Sequence, residues 1–482
     1  MTNASLEGAS VHSRFTEAEI DALAMGMRGR VCLPENPEFD TARKVWNATV
    51  DRRPSLILRC AGAADVMRAV GFAKAHDLAI AVKGGGHNIA GSAVCDDGLM
   101  IDLSAMTSVR VDPDARRAWV EPGVTLGGLD RETQMFAMAV PTGINSTTGI
   151  AGLTLGGGFG WTTRKFGLTI DNLVSADVVT AEGKLLHASD EADRELFWAI
   201  RGGGGNFGVV TAFEFGLHPL GPEVLAGLVV HPMEEAGPLL RQYREAVAAA
   251  PDGLTCWVVL RKAPPLPFLP TEWHGREVLV FALCYVGDIA EGEAAAAAIR
   301  GLGKPIADVV GPHSFVAWQA AFDPLLTPGA RNYWKSHDFD ALSDGAIDVV
   351  LAAARDLPTP ECEIFISHLG GAMGRVAPDA TPFPSRNAHF ILNVHTRWRD
   401  SRDDEALVEW ARKVFQATAP FATGRAYVNF MPADEAERVE SIYGPNYRRL
   451  VEMKLRYDPG NLFRGNQNIP PAAHPAAASA AQ

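Results

Sequence analysis

The stretch 82-VKGGGHNIAG-91 sets three glycines directly before a histidine, His87. A glycine run costs conformational entropy and is kept where the backbone takes positive φ or must come very close to something. The histidine is either an ordinary polar loop residue or the reactive group of whatever the glycines embrace. The residues leading in give the loop its place. In "AADVMRAVGFAKAHDLAIAVKGGGH", Val66, Val70 and Ala73 recur at i, i+4 and i+7, one helical face. "LAIAV" then makes a short apolar strand that ends at the glycines. The order is helix, strand, glycine loop.

Two further glycine-dense segments follow, "PTGINSTTGIAGLTLGGGFGWTTRKFGLTIDNL" and "FWAIRGGGGNFGVVTAFEF". All three lie within residues 82–217, each beside an expected strand or helix, so one extended ligand touching three loops accounts for them. Gly203, Gly205 and Gly208 form a formal GxGxxG. A dinucleotide fold needs a strand before that motif and a helix after it. Here "RELFWAI" reads as helix before it and "VVTAFEF" as strand after it, so the dinucleotide reading fails on context. Neither GxxxxGK[ST], HExxH nor GxSxG occurs. Glycine loops let consecutive backbone N–H groups converge on phosphate oxygens. A diphosphate held in that way needs no cluster of Lys and Arg.

That suits the composition. The 482 residues carry a net charge of −13, with 47 % hydrophobic and 21 % charged residues. Nucleic acid and anionic membrane surfaces are poor partners for such a chain. No apolar run approaches the roughly 18 residues of a spanning helix. The N-terminus lacks a basic region followed by an apolar core, so no signal peptide is expected. The six cysteines are scattered, none at CxxC spacing, which points to free thiols, no metal site and a cytoplasmic protein.

"DPDARR" between two alternating runs marks a hairpin. From about residue 222 the texture changes: "EVLAGLVVHP", "LTCWVVLRK", "REVLVFALCYVGD" and "AHFILNVHTRW" read as strands, "PLLRQYREAVAAA" and "GEAAAAAIRGLG" as helices. An antiparallel sheet covered by helices on one face is expected. In "RAYVNF", Arg425 and Tyr427 stand at strand spacing and would share a face. A phenol with an ordinary pKa of about 10 needs such a cation to act as a base near neutrality. "RNYWKSHDF" (Tyr333, Lys335, His337) and "ISHLGGA" (His368) either line a pocket or form surface loops.

The segments "VKGGGHNIAGSAVCDDGLMIDLS", "GIAGLTLGGGFGWTTRKFGLTIDNL", "FWAIRGGGGNFGVVTAFEF" and "YGPNYRRLVEMKLRYDPGNLFRGNQNIPP" together resemble the berberine-bridge-enzyme-like flavoprotein oxidases of the vanillyl-alcohol-oxidase superfamily. The resemblance covers most of residues 53–217 and 425–470. It implies an α+β chain with a PCMH-type two-part FAD-binding domain: residues 1–220, an inserted antiparallel-sheet substrate domain at 221–424, and a returning segment at 425–471 before a disordered tail at 472–482. It makes His87 the covalent anchor of the flavin 8α-methyl. Lys83, Gly84, Gly85, Gly86, Asn88, Gly149, Gly152, Gly156, Gly157, Gly158, Gly160, Asn206, Gly208, Val210 and Asn429 become FAD-binding candidates.

Two departures shape the functional expectation. Many members add a second flavin bond through a cysteine four residues before the glycine matching Gly149; here that position is Asn145, so a single link is expected. Members that oxidise sugars and alcohols often carry a tyrosine where this chain has Phe430, which leaves Tyr427 as the phenol at the reacting face. The phenylalanine points towards amines, or towards alcohols served by another base, and similarity to the singly linked bacterial 6-hydroxynicotine-oxidase type points the same way. The expected activity is hydride removal from a carbon next to N or O of a small aromatic or heterocyclic molecule, with O2 reduced to H2O2 by a monomer or homodimer. A flavin dehydrogenase for alcohols or sugars with another electron acceptor is the alternative, and a non-catalytic flavin-binding protein a third reading.

Overall fold

The run that leads into the first glycine loop folds as its pattern predicts. Strand Leu56–Arg59, helix Ala63–Ala75 and strand Ile80–Lys83 follow one another, and the helix buries Val66, Ala69, Val70 and Ala73. Both strands run parallel to Leu99–Asp102, one on each side, and Arg30–Cys32 completes a four-stranded sheet. Its parallel strands are apolar on both faces because both faces are covered: Leu56, Ile57, Leu58, Met100 and Ile101 are all buried. The computed structural model describes residues 14–465 and 467–471, so the expected tail at 472–482 lies outside the described residues.

The hairpin expected at "DPDARR" pairs Val109–Asp112 with Arg117–Val120. The Asp112 carboxylate accepts the Ala115 N–H at 2.9 Å and closes its turn. These strands join Val209–Gly216, Leu173–Val179 and Leu185–Ser189 in a five-stranded antiparallel sheet. The formal GxGxxG lies between helix Arg194–Ile200 and strand Val209–Gly216, the reverse of dinucleotide order.

Residues 223–398 build an eight-stranded antiparallel sheet. Its order is Ala307–Asp308, Glu223–Pro232, Glu277–Tyr285, Leu254–Lys262, Glu363–His368, Phe390–Trp398 and Arg331–Phe339, with Gly311–Ser314 also paired to the second strand. Helices Ala236–Ala248, Ile289–Arg300, Asp344–Ala354 and Asp404–Thr418 cover one face, packing Tyr243, Ile299, Ile347 and Val414 against Val258, Phe281, Ile366 and Val394. Alternate residues on the same strands point the other way, as the pleat requires. There Trp257, Ala282 and Ile391 meet Phe159 and Trp161 of the glycine-rich half.

After the sheet the chain returns. Helix Tyr447–Tyr457 puts Leu450 and Met453 into a core with Phe197, Phe213 and Phe215. Lys454, fully buried, donates to the Asn206 and Phe463 carbonyls at 2.8 and 2.7 Å and to Asp458 at 2.7 Å. All three ammonium protons are thereby matched, which is what lets the charge sit inside.

Three local expectations are corrected. "RNYWKSHDF" and "ISHLGGA" are not surface loops; the first is wholly strand and the second runs out of strand Glu363–His368. "RAYVNF" is not a strand: Val428–Phe430 forms a 3₁₀ turn, and the Phe430 N–H donates to the Tyr427 carbonyl at 2.9 Å. Arg425 therefore does not share a face with Tyr427; its guanidinium donates to the Pro384 carbonyl. The six cysteines are unpaired, five of them buried. Among the described residues no helix is long and apolar enough to cross a membrane.

Candidate active site

Between the glycine-rich half and the uncovered face of the eight-stranded sheet lies a cavity of about 340 Å³. The three glycine loops form one side. Gly84, Gly85, Gly86, His87 and Asn88 come from the first, Gly149, Gly152 and Gly156 from the second, Gly204, Gly205, Gly208 and Val210 from the third. The first two loops cross backbone to backbone: a Cβ on Gly85 would stand 2.4 Å from the Gly149 nitrogen. No side chain fits at either position.

The sheet forms the opposite wall. Trp257, Val259 and Arg261, then Val278, Val280 and Ala282, then Glu363 and Phe365, with Trp334 and His395, all reach it. Their spacing of two along each strand is the pleat facing inward. Trp46, Phe159, Trp161 and Phe430 make the lining strongly aromatic. Phe430 meets Tyr427, Trp334, Phe159 and Phe365 at ring-centroid distances of 4.9, 5.4, 5.7 and 5.8 Å.

One polar row interrupts this wall. Arg261 and Glu363 are directly opposed on neighbouring strands, as are Glu363 and His395. Arg261 Nη1 lies 2.8 Å from Glu363 Oε2, and His395 Nδ1 lies 3.2 Å from Oε1. Burial pushes the Glu363 carboxyl up, but Arg261 and His395 outweigh it and hold it below the usual carboxylate range. Glu363 is the sole carboxylate among the described residues that line the cavity.

His87 sits at the junction of the two walls. Trp46 stacks on its ring at 5.2 Å and 19°. Its Nε2 is 3.1 Å from Thr147 Oγ1, which is 2.7 Å from Asn145 Oδ1. Burial lowers the imidazole to about 4, so it is neutral at pH 7. Tyr427 lines the cavity with its hydroxyl 3.1 Å from the Gly158 N–H and 2.8 Å from Asn429 Nδ2. Burial pushes that phenol up to about 12, and with Arg425 turned away no cation offsets the shift. Tyr427 is a neutral hydrogen-bonding group there, not a base near neutrality.

Several expected site residues lie elsewhere. Tyr333 and Lys335 flank Trp334 on one strand and so point to the helix-covered face. The Tyr333 hydroxyl bonds Asp434 at 2.8 Å, and the Lys335 ammonium pairs with Glu435 at 2.7 Å. His368 has the opposite parity to Glu363 and Phe365 and meets the Arg164 guanidinium at 3.0 Å. Lys83 is tied to the Ala42 and Lys44 carbonyls at 2.8 and 3.0 Å, outside the cavity lining. Gly157, Gly158 and Gly160 turn inward onto Phe383, Thr169 and Thr142. Asn206 is buried behind the third loop, donating to Gly203 and Gln467 carbonyls and accepting the Ile469 N–H. It joins that loop to the returning segment. The residues that sequence reasoning missed are Trp46, Thr147, Arg261, Glu363, Trp334 and His395; alternation along the strands was the available signal for the last four, and Trp46 and Thr147, in loops, had none.

The site suits an extended dinucleotide. Backbone of three glycine loops lines that side without an acidic side chain among it, and a Cβ on Gly152 would meet nothing within 4 Å beyond its own helix. Comparison with known proteins agrees. An FAD binding domain family matches residues 54–189, and the berberine and berberine-like family matches residues 426–470. The chain is 33 % identical over 433 residues to an FAD-linked oxidoreductase of Dictyostelium discoideum, covering 89 % of this chain and 91 % of that one. It is 32 % identical over 463 residues to (R)-6-hydroxynicotine oxidase of Paenarthrobacter nicotinovorans, covering 93 % and 98 %. The crystal structure of 6-hydroxy-D-nicotine oxidase from Arthrobacter nicotinovorans superposes with a TM-score of 0.83 at 30 % identity, covering 92 % of this chain and 98 % of that one. With glycine loops, sheet wall and returning segment all in the arrangement of these relatives, the chain belongs to the berberine-bridge-enzyme-like family of FAD-linked oxidoreductases.

Proposed function

We propose that this oxidoreductase is an oxidase of small aromatic or heterocyclic amines, with its FAD held by a single covalent bond to His87. The carrying observation is the aromatic cavity wall broken by one polar row, Arg261–Glu363–His395. A sugar presents hydroxyls all round and leaves them unpaired against Trp257, Val259, Val280 and Phe365. A flat apolar molecule with one polar end matches that wall, and the 32 % identity to (R)-6-hydroxynicotine oxidase supports the reading. FAD, when bound, supplies the hydride acceptor and passes the electrons to dioxygen as H2O2.

The chain's own groups do the rest. Gly84 to Asn88, Gly149, Gly152, Gly156, Gly208 and Val210 hold the cofactor, with Asn429 fixing the turn beside it. Tyr427 keeps its proton and orients the reacting face. The polar row holds the substrate's polar end, while the aromatic rings exclude water and keep an amine neutral. Six unpaired cysteines support action in a reducing cytoplasm.

The test is direct. Acid-precipitated wild type is expected to keep yellow flavin in the pellet, and His87→Ala to release it. Aerobic turnover of cyclic amines bearing an aromatic ring is expected to give one H2O2 per substrate oxidised. Turnover of oligosaccharides in place of amines, or substrate oxidation without peroxide, overturns the reading.

A further inference from the structure

Asn145 and Thr147 are not explained by cavity shape alone. The Asn145 side-chain oxygen accepts the Thr147 backbone N–H at 3.0 Å, which fixes the amide with its carbonyl towards Thr147. The Thr147 hydroxyl, 2.7 Å from that same oxygen, must therefore donate to it. A hydroxyl has one proton. With that proton committed to Asn145, Oγ1 offers only a lone pair to His87 Nε2 at 3.1 Å, so Nε2 carries the imidazole proton. Nδ1 is left with a free lone pair, and no described residue bonds to it. Trp46 stacked on the ring sets its plane.

We infer that Asn145 and Thr147 form a tautomer-setting relay that makes Nδ1 of His87 the nucleophile for flavin attachment. The inference rests on the covalent link proposed above. It also gives a role to the residue at position 145: where relatives place a second flavin bond, this chain places the group that orients the first. Burial supports the relay by keeping the ring neutral, so a lone pair is available across the physiological range.

The step balances as follows. One C–N bond forms between Nδ1 and the 8α carbon. One 8α C–H bond breaks, the Nε2 proton departs to solvent, and dioxygen takes the two electrons and both protons as H2O2. Nε2 then holds a bare lone pair. The Thr147 hydroxyl turns from Asn145 to Nε2, so the same contact persists with its donor reversed. Thr147 is thus a positioning residue, acting through His87.

The test measures attachment, not turnover. Full-length chain expressed under riboflavin limitation is mixed with FAD, and acid-stable flavin is followed over time across pH 5.5 to 9. Thr147→Val is expected to load at least ten-fold more slowly than wild type, and Thr147→Ser at close to the wild-type rate. Asn145→Ala frees the Thr147 proton to donate to Nε2, which moves the imidazole proton to Nδ1. It is expected to slow loading as well, although it never touches His87. Reversible FAD affinity, measured in a His87→Ala background, is expected to be unchanged by either substitution, which a merely structural role would not leave intact. Should Thr147→Val fail to fold, Asn145→Ala and Thr147→Ser carry the comparison. Wild-type loading rates in Thr147→Val or Asn145→Ala overturn the relay while the His87 link stands. A wild type with no acid-stable flavin overturns both.

Discussion

Glu363 is charged although only 13 % of its side chain is exposed, and Arg261 is the reason. Its carboxyl is held below the ordinary range, so it stabilises the fold above that range and loses the contribution as pH falls through its lowered pKa. Arg261→Leu strips the partner and leaves a carboxylate facing an apolar cavity. A loss of about 3 kcal/mol is expected at pH 7, the usual cost of breaking one side of a buried pair, and urea unfolding reads it. The deficit is expected to shrink as pH falls and the Glu363 left without Arg261 takes up a proton. At this scale the sequence was legible only where chemistry and neighbours are contiguous. His87 stood out because its glycines adjoin it. Arg261, Glu363 and His395 are far apart in the chain and become neighbours only through strand register.

Register also decides which faces of the strands matter. In Arg331–Phe339, Trp334 reaches the cavity while Tyr333 and Lys335 turn to the covering helices. Neither this strand nor its parity was readable from composition, because polar and aromatic residues fall on both of its faces. Trp334→Ala is expected to raise KM for the amine substrate proposed above roughly ten-fold, the value of one lost aromatic contact. Lys335→Met is expected to leave KM alone and to cost about 2 kcal/mol of stability, since Arg438 remains on Glu435. Steady-state kinetics and urea unfolding of the two neighbours separate the faces. The turn at Val428–Phe430 escaped the sequence for a related reason. Its alternation mimics a strand, but no strand among the described residues pairs with it.

Across the whole molecule, the two halves are joined by buried polar contacts as well as by the cavity. Asp130, on helix Leu126–Gln134, lies 3.1 Å from Gln319 on helix Phe315–Gln319. Burial raises its carboxyl to about 7. A carboxyl raised in the fold favours folding while protonated, so its contribution is lost as pH climbs from about 4 through 7. Asp130→Asn cannot ionise, and its Tm relative to wild type is expected to rise by a few degrees between pH 4 and pH 8. The two-part architecture itself was readable, since glycine loops and the returning motif are local signatures. The intervening sheet matched only in texture, because its substrate wall is a product of long-range pairing.

The return of the chain has a consequence for how the enzyme is made. Tyr427, Asn429, Phe430 and Gln467 line the cavity, and Lys454 bolts the third glycine loop to Phe463 in the returning segment. A ribosome delivers these groups only after the entire intervening sheet has emerged. Every nascent chain that ends before them has an open, half-built cradle. Cofactor capture therefore waits until the returning segment has been made and has closed over the glycine loops.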